Sequence, residues 1–254
     1  MRATLCFISM LAAVTAYAQP PVITPQSIVN AASLVSPALP GGAIARGSVF
    51  SISGQNLGPA ILAQPSSPPF ANALSGVSIR IAQGNTAVDA IPVSASANNI
   101  TAIMPSNAPL GLASVQVTNN GLRSNPSPVA IVNSSFGAYA NTGGQGPGVI
   151  LNVISDADQP MNSPALPAQP GQVVILSGTG LGPVTFPDND TPISGDLPTQ
   201  VEIFVGGVAV VDKRYSGRGA APGVDQVIFA ATGRHPPVGT VSNEKGMSVS
   251  LTRG

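Results

Sequence analysis

Gly47-Ser-Val-Phe-Ser-Ile-Ser-Gly-Gln-Asn-Leu-Gly-Pro59 recurs without a gap as Gly171-Gln-Val-Val-Ile-Leu-Ser-Gly-Thr-Gly-Leu-Gly-Pro183, with Gly, Val, Ser, Gly, Leu, Gly and Pro coinciding. Carried forward under the same offset, Val77-Ser-Ile-Arg-Ile81 falls on Val201-Glu-Ile-Phe-Val205, and in both runs the odd positions are apolar. A period of two marks a half-buried strand, because successive side chains of an extended backbone point to opposite faces. Two separated matches under one offset read as a duplicated domain.

The turns agree with antiparallel pairing. Gly206-Gly207 lies between Val205 and Val208, and Asn120-Gly121 follows an expected strand, Ala113–Thr118. Both pairs tolerate positive φ at each turn position, as a two-residue hairpin demands. A short strand at Ile100–Met104 is expected to correspond to Val227–Ala231, and Val129–Val132 to close the first copy. No window shows apolar spacing of three and four behind a cap, and prolines interrupt nearly every candidate helix. The 28 Gly and 26 Pro then serve as turns between many short strands. The expected class is all-β, with a first sandwich over 19–132, a second over 133–254 and a short boundary near Val132–Ser135. Gly-rich Asn141–Gly148 reads as a surface loop near the first strand of the second copy.

The pattern Pro40-Gly41-Gly42, Val49, Ile52, Gly54 and Leu57-Gly58, repeated as Pro170-Gly171, Val173, Leu176, Gly178 and Leu181-Gly182, resembles the opening strands of IPT/TIG immunoglobulin-like domains. More narrowly, Ile28-Val-Asn-Ala-Ala-Ser33, Asn162-Ser-Pro164 and Thr179-Gly-Leu-Gly-Pro183 resemble the Solibacter-type uncharacterised C-terminal domain of exported bacterial proteins. The likeness runs from about Gln26 to Phe229. It implies tandem immunoglobulin-like sandwiches in an extracellular setting, and no catalytic residues.

Export is also written in the first residues. Arg2 precedes an apolar run from Leu5 to Val14 and then Ala16-Tyr17-Ala18, which reads as a signal peptide over 1–18 cleaved near Ala18-Gln19. No later run reaches the ~20 apolar residues that a spanning helix needs, so no membrane span is expected in the mature chain. The single cysteine, Cys6, falls inside the signal, which leaves no thiol for a disulfide. Charged residues are 8% of the chain with a net charge of +0, against 43% hydrophobic. Nucleic-acid binding needs clustered Lys and Arg to displace counterions, so a Rel-like DNA-binding role is disfavoured.

Candidate chemistry is sparse. The only histidine, His235, lies in a Gly-Arg-His-Pro-Pro loop with no Gly-x-Ser-x-Gly elbow or cysteine to act with it. Gly178-Thr-Gly180-Leu-Gly182 has the glycines of a phosphate loop, but Pro183 and Val184 follow where a helix start is required. Asp156 and Asp158, and the better pair Asp188 and Asp190, offer hard oxygens to Ca²⁺. Calcium takes about six to eight oxygens, however, and a solvated acidic turn is the plainer reading. No other cofactor is implied. The aromatic fraction is 4% with no Trp, so a glycan would have to stack on Tyr139 and Tyr215, expected in Gly-rich loops, or on Phe204, which alternation turns outward.

The sequence therefore reads as a secreted, periplasmic or cell-surface, non-catalytic structural or adhesive module that holds loops or a sheet edge toward a protein partner. A carbohydrate-binding module is the alternative. The first copy has a strand, an Asn-Gly turn and a closing strand, whereas the second reaches Met247-Ser-Val-Ser-Leu251 without a counterpart to the closing strand. An open edge that pairs in trans is expected there, with a truncated or misread gene end as the equal alternative.

Overall fold

A computed structural model describes residues 19–205, 207–231 and 248–252, the last five through their backbone. The expected signal peptide, Gly206, His235 and Met247 lie outside the described residues. No α-helix occurs among those described, and none is long and apolar enough to cross a membrane.

The first half contains β1 (Val22–Asn30), β2 (Ile44–Ala45), β3 (Val49–Gln55), β4 (Ala73–Leu74) and β5 (Val77–Gln83). It continues with β6 (Thr86–Ala95), β7 (Asn99–Ile103), β8 (Gly111–Asn119), β9 (Leu122–Arg123) and β10 (Ser127–Val132). Their hydrogen-bonded order is β1-β3-β7-β6-β5-β8-β10-β2, with β4 beside β5 and β9 beside β8. The long strand β6 makes this path possible. Its first part, Thr86–Ala90, pairs with β5, and its second part, from Ile91, pairs with β7 across an irregularity between Pro92 and Ser94. A bulge suits Pro92, which has no N–H to give to a ladder.

The chain thus passes from one layer to the other and closes a sandwich around Ile28, Phe50, Ile52, Val77, Ile79, Ile81, Val115, Val117, Val129 and Ile131. Each such side chain taken from water stabilises the fold by about 1.5–3 kcal/mol before entropy is counted. Strand β10 runs antiparallel to β8 and takes β2 on its other side in parallel, through Ile131↔Ile44. At the β8–β9 hairpin Asn120 and Gly121 have φ of 48° and 84°, the turn read from the sequence.

The second half contains β11 (Gly137–Ala138), β12 (Ile150–Asn152), β13 (Val173–Thr179), β14 (Gln200–Val205), β15 (Val208–Ala209), β16 (Lys213–Arg218), β17 (Asp225–Ala230) and β18 (Ser248–Thr252). One sheet has the order β11-β13-β17-β16 with β12 beside β13, and the other is β15-β14-β18. A separate core forms from Ile150, Val174, Leu176, Leu181, Ile203, Val205, Val227 and Phe229.

Pairing registers repeat between the halves. Val49↔Ile103 in β3–β7 has its parallel in Val173↔Ala230 in β13–β17, in line with the expected correspondence of Ile100–Met104 with Val227–Ala231. Ile28↔Ile52 and Asn30↔Phe50 match Ile150↔Leu176 and Asn152↔Val174. The bulge in β6 returns in β16, between Lys213 and Tyr215. Even the strand entries agree: Gly47 N–H donates to Met104 O at 2.8 Å, and Gly171 N–H to Ala231 O at 2.8 Å. On the other layer Ile79↔Val117 matches Ile203↔Val249, so β18 occupies the place of β8. The halves part at the next position, because β8 is paired on both sides whereas β18, among the described residues, has only β14.

Candidate functional site

The two halves meet through buried polar groups. Asn30, 1% exposed at the end of β1, donates through Nδ2 to Thr179 O at 3.2 Å and to Ser135 O at 3.3 Å. Its Oδ1 accepts the Ala32 and Ser33 N–H groups, so one side chain both folds its own turn and grips the second half. Thr179 Oγ1 accepts Val49 N–H at 2.8 Å and donates to Gly223 O at 2.6 Å. Behind this lies the ion pair of Arg218 and Asp225, 4% and 0% exposed and direct partners across β16–β17. Asp225 Oδ2 accepts the Gly180 and Leu181 N–H groups, each at 2.7 Å, and Arg218 Nη2 donates to Gly182 O at 2.9 Å. Burial pushes the Asp225 carboxyl above its usual range, and Arg218 with the two amides pulls it back.

The amides that gave Gly178–Gly182 its likeness to a phosphate loop are therefore spent on an internal carboxylate. Glycine is needed at Gly180, where φ is 107° and a Cβ would run into Ser135 O. At the side of the junction Asp188 joins the halves. Its Oδ2 accepts Ser106 N–H and its Oδ1 accepts Ser106 Oγ–H, both at 2.7 Å, while Ser106 Oγ accepts Val184 N–H at 2.9 Å. Phe70 and Asn189 exchange two further hydrogen bonds of 2.7 Å. The apolar contact beneath is Val49, Ile91 and Ile103 with Ala31, Phe70 and Val93, close enough that a Cβ on Gly223 would fall 2.7 Å from Val49 Cγ2.

The candidate residues scatter over this frame. Asp188 is engaged by Ser106, and Asp190 Oδ1 accepts the N–H of its own neighbour Thr191. Among the described residues no group of three or more His, Cys, Asp and Glu side chains comes together. Tyr215 lies on strand β16 rather than in a Gly-rich loop, and its hydroxyl donates to Arg218 O at 2.6 Å. Tyr139 follows β11, and burial with the nearby Asp225 charge raises its phenol to about 12. Phe204 remains half-buried on β14 opposite Ala209. The three aromatics belong to three different segments. Asn30, Thr179, Arg218 and Asp225 were missed by sequence reasoning. Their one signal was an Arg and an Asp flanking the Gly219–Gly223 turn in a chain with 8% charged residues.

Beside the junction a cleft of about 770 Å³ is lined by Leu110, Gly111, Ile131–Ser134, Pro183 and Pro198–Gln200, none of them charged. Gln200 opens β14 and pairs with Thr252, so the cleft borders the C-terminal end of β18.

Residues 33–132 match the IPT/TIG domain family. The match falls on the first half, whose sandwich and path β1-β3-β7-β6-β5-β8-β10-β2 are in keeping with an immunoglobulin-like fold. None of the curated proteins matches the chain. Among solved structures it is similar to SGBP-B from a complex xyloglucan utilization locus in Bacteroides uniformis, at 14% identity over 91% of this chain and 72% of that one. At a TM-score of 0.27 that likeness carries no weight for the function of this chain.

Proposed function

We propose that the protein is an exported, non-catalytic module of two tandem immunoglobulin-like sandwiches, the IPT/TIG domain and a second copy of it over 133–254. It binds a protein partner outside the cell through its loops or through the sheet edge of the second copy. The observation that carries this reading is the pairing asymmetry: β8 has β5 and β10 on its two sides, and β18 has β14 alone among the described residues. An unpaired ladder presents backbone donors and acceptors that another strand satisfies. The repeated registers support the duplication, and the signal-like residues 1–18 support export. Dispersed polar groups, each engaged in holding backbone, support a scaffold over an enzyme.

The test is expression in a secreting host, with fractionation and N-terminal sequencing, followed by a hydrolase panel and a glycan array. A mature protein starting near Gln19 with no turnover and no glycan retention is expected. Retention in the cytoplasm with residues 1–18 intact, or turnover abolished by His235→Ala, overturns the reading.

A further inference from the structure

We infer that the end of the first half opposite the junction seats on a lipid surface with anionic headgroups, Ile61 and Leu62 entering the boundary between headgroups and acyl chains. This goes beyond the proposed partner binding and uses a different part of the molecule. Several segments gather at that end. Val22 pairs with Gln55, Val77 with Asn119 and Asn119 with Leu122, while Asn119 Nδ2 donates to Asn56 O at 2.9 Å and Leu57 N–H to Ala97 O at 2.9 Å. The second half is attached at the other end of the same strands, where Ile131 meets Gly111 and Val132 meets Ala45.

Two aliphatic side chains are left bare there. Ile61 is 85% exposed and Leu62 58%, with Val22 and Leu122 also exposed at this end. The loop that carries them is fixed at both stems: Leu57 is fully buried, and Ala63 and Ala95 exchange backbone hydrogen bonds of 2.9 and 3.0 Å. Pro59 stiffens the short span between. The exposure therefore belongs to the loop's fixed shape. The repeat offset lays Gly58–Ala63 on Gly182–Pro187. In the second half that loop lies at the junction, where Val184 N–H donates to Ser106 Oγ and both Val184 and Phe186 are half-buried. One copy of the loop shelters its apolar residues beside a neighbour, and the other presents them to the outside.

Charge selects the occupant. The net charge of +0 hides a basic first half, since between Gln19 and Ser155 stand Arg46, Arg80 and Arg123 against Asp89 alone. Arg80 pairs with Asp89 at 3.5 Å, and Arg46 Nε donates to Ala108 O at 2.6 Å near the junction. Arg123 is exposed next to Leu122, opposite Thr118 at the far end, and has no carboxylate partner among the described residues. A guanidinium forks onto phosphate oxygens, and a cation at a membrane surface is drawn to anionic headgroups. A soluble polyanion would take the cation but leave Ile61 and Leu62 in water. A stable protein interface needs about 800 Å² from each partner with matched shape, more than two aliphatic side chains supply. A bilayer accepts them without shape matching and binds in proportion to the apolar area buried.

The test is partition of the full chain onto vesicles of phosphatidylcholine with and without phosphatidylglycerol, read as partition constants from a lipid titration. Ile61→Ser/Leu62→Ser is expected to lower the constant on the anionic vesicles by about fivefold or more. Arg123→Gln should lower it by about fivefold on those vesicles and leave the phosphatidylcholine constant unchanged. Both variants alter exposed side chains, so the fold is kept. Residues 1–18, if retained, raise every constant alike, and the ratios are read in either form of the chain. In a Cys6→Ser background, an environment-sensitive fluorophore on Ile61→Cys should shift to the blue with anionic vesicles. The same label on Asn85→Cys, in the hairpin at the junction end, should not. Equal partition of the native chain and the Ile61/Leu62 variant, or equal shifts at 61 and 85, overturns the inference. So does a dimer in lipid-free sedimentation that Ile61→Ser/Leu62→Ser dissociates, because the loop then belongs to a second copy. Turnover or cytoplasmic retention bears on the general reading and leaves these ratios intact, so each fails by its own measurement.

Discussion

Gly54–Pro59 and Gly178–Pro183 are one motif in two settings. In the first half Gln55 is exposed, and the loop is held by backbone carbonyls: Gly54 N–H donates to Asn98 O at 3.0 Å and Leu57 N–H to Ala97 O at 2.9 Å. In the second half residues 178–182 are buried at the junction, and Asp225 accepts the loop amides with its side chain. By register Asn98 and Asp225 hold the same place, next to Ser53↔Asn99 in one half and Ser177↔Gln226 in the other. The positive φ near the loop apex is taken by Asn56 at 54° where water reaches it, and by Gly180 at 107° where Ser135 O presses against it. A loop drawn out of solvent can no longer leave its polar groups to water, so side chains must satisfy them. The exposed copy keeps Gln and Asn. The buried copy recruits Thr179, Asp225 and Arg218.

The largest effect should come from breaking that recruitment. Asp225→Ala leaves Arg218 charged, buried and unpaired and strands two amides, and is expected to cost about 3–5 kcal/mol by urea denaturation. Asn98→Ala at the equivalent place removes an exposed side chain and should stay within about 0.5 kcal/mol. The double replacement Arg218→Met/Asp225→Leu should recover part of the loss, because no uncompensated charge remains. Equal losses at 98 and 225 would show that the two settings are energetically alike.

Thr179→Val is nearly isosteric and leaves Val49 N–H without its acceptor and Gly223 O without its donor. A loss of about 1–3 kcal/mol is expected, against about 0.5 kcal/mol or less for the exposed counterpart Gln55→Val. Because Val49 belongs to the first half, thermal unfolding of the Thr179 variant should also separate into two transitions if the halves melt independently once released.

The repeat was open to reading because both stretches carry what a strand needs: alternation at Val77–Ile81 and Val201–Val205, and glycines where φ is positive. Other elements carried weaker signals. Strand β6 changes layers midway, so its alternation breaks at Pro92, and β16 begins with the charged pair Lys213 and Arg214. The junction was not legible for a different reason. Asn30, Thr179 and Asp225 are ordinary polar residues on strands, and nothing in their local pattern states that the partner is 149 residues away, as for Asn30 and Thr179. Tyr215 was misplaced because Gly217 and Gly219 around it suggest a turn, whereas Gly217 is required by the close approach of the Tyr215 ring and Gly195 O.

Asp188 sharpens the comparison from the rim. Its carboxylate is half-buried, so screening limits what the Ser106 contacts contribute, and Asp188→Ala should cost about 1 kcal/mol. Added Ca²⁺ should leave the melting midpoint of the native protein unchanged, since both Asp188 oxygens already accept hydrogen bonds. A midpoint raised by Ca²⁺ in the native protein and not in the variant would instead place the ion at this loop.

The smallest effect lies at alkaline pH. Tyr139 ionises at about 12 rather than 10.0, chiefly because its phenol is buried and further because Asp225 is a negative charge nearby. The folded chain therefore holds this proton more tightly than the unfolded chain does. The associated stability is fully present below pH 10 and drains away as the pH climbs from 10 toward 12. Ultraviolet titration of the native protein against Tyr139→Phe isolates the phenol, and the difference curve should have its midpoint near 12. Asp225→Asn removes the charge but keeps the burial, so where that variant still folds the midpoint should fall only part of the way toward 10. A complete return would mean that Tyr139 senses the carboxylate alone, and that the junction around it is wetter than the buried loop it adjoins.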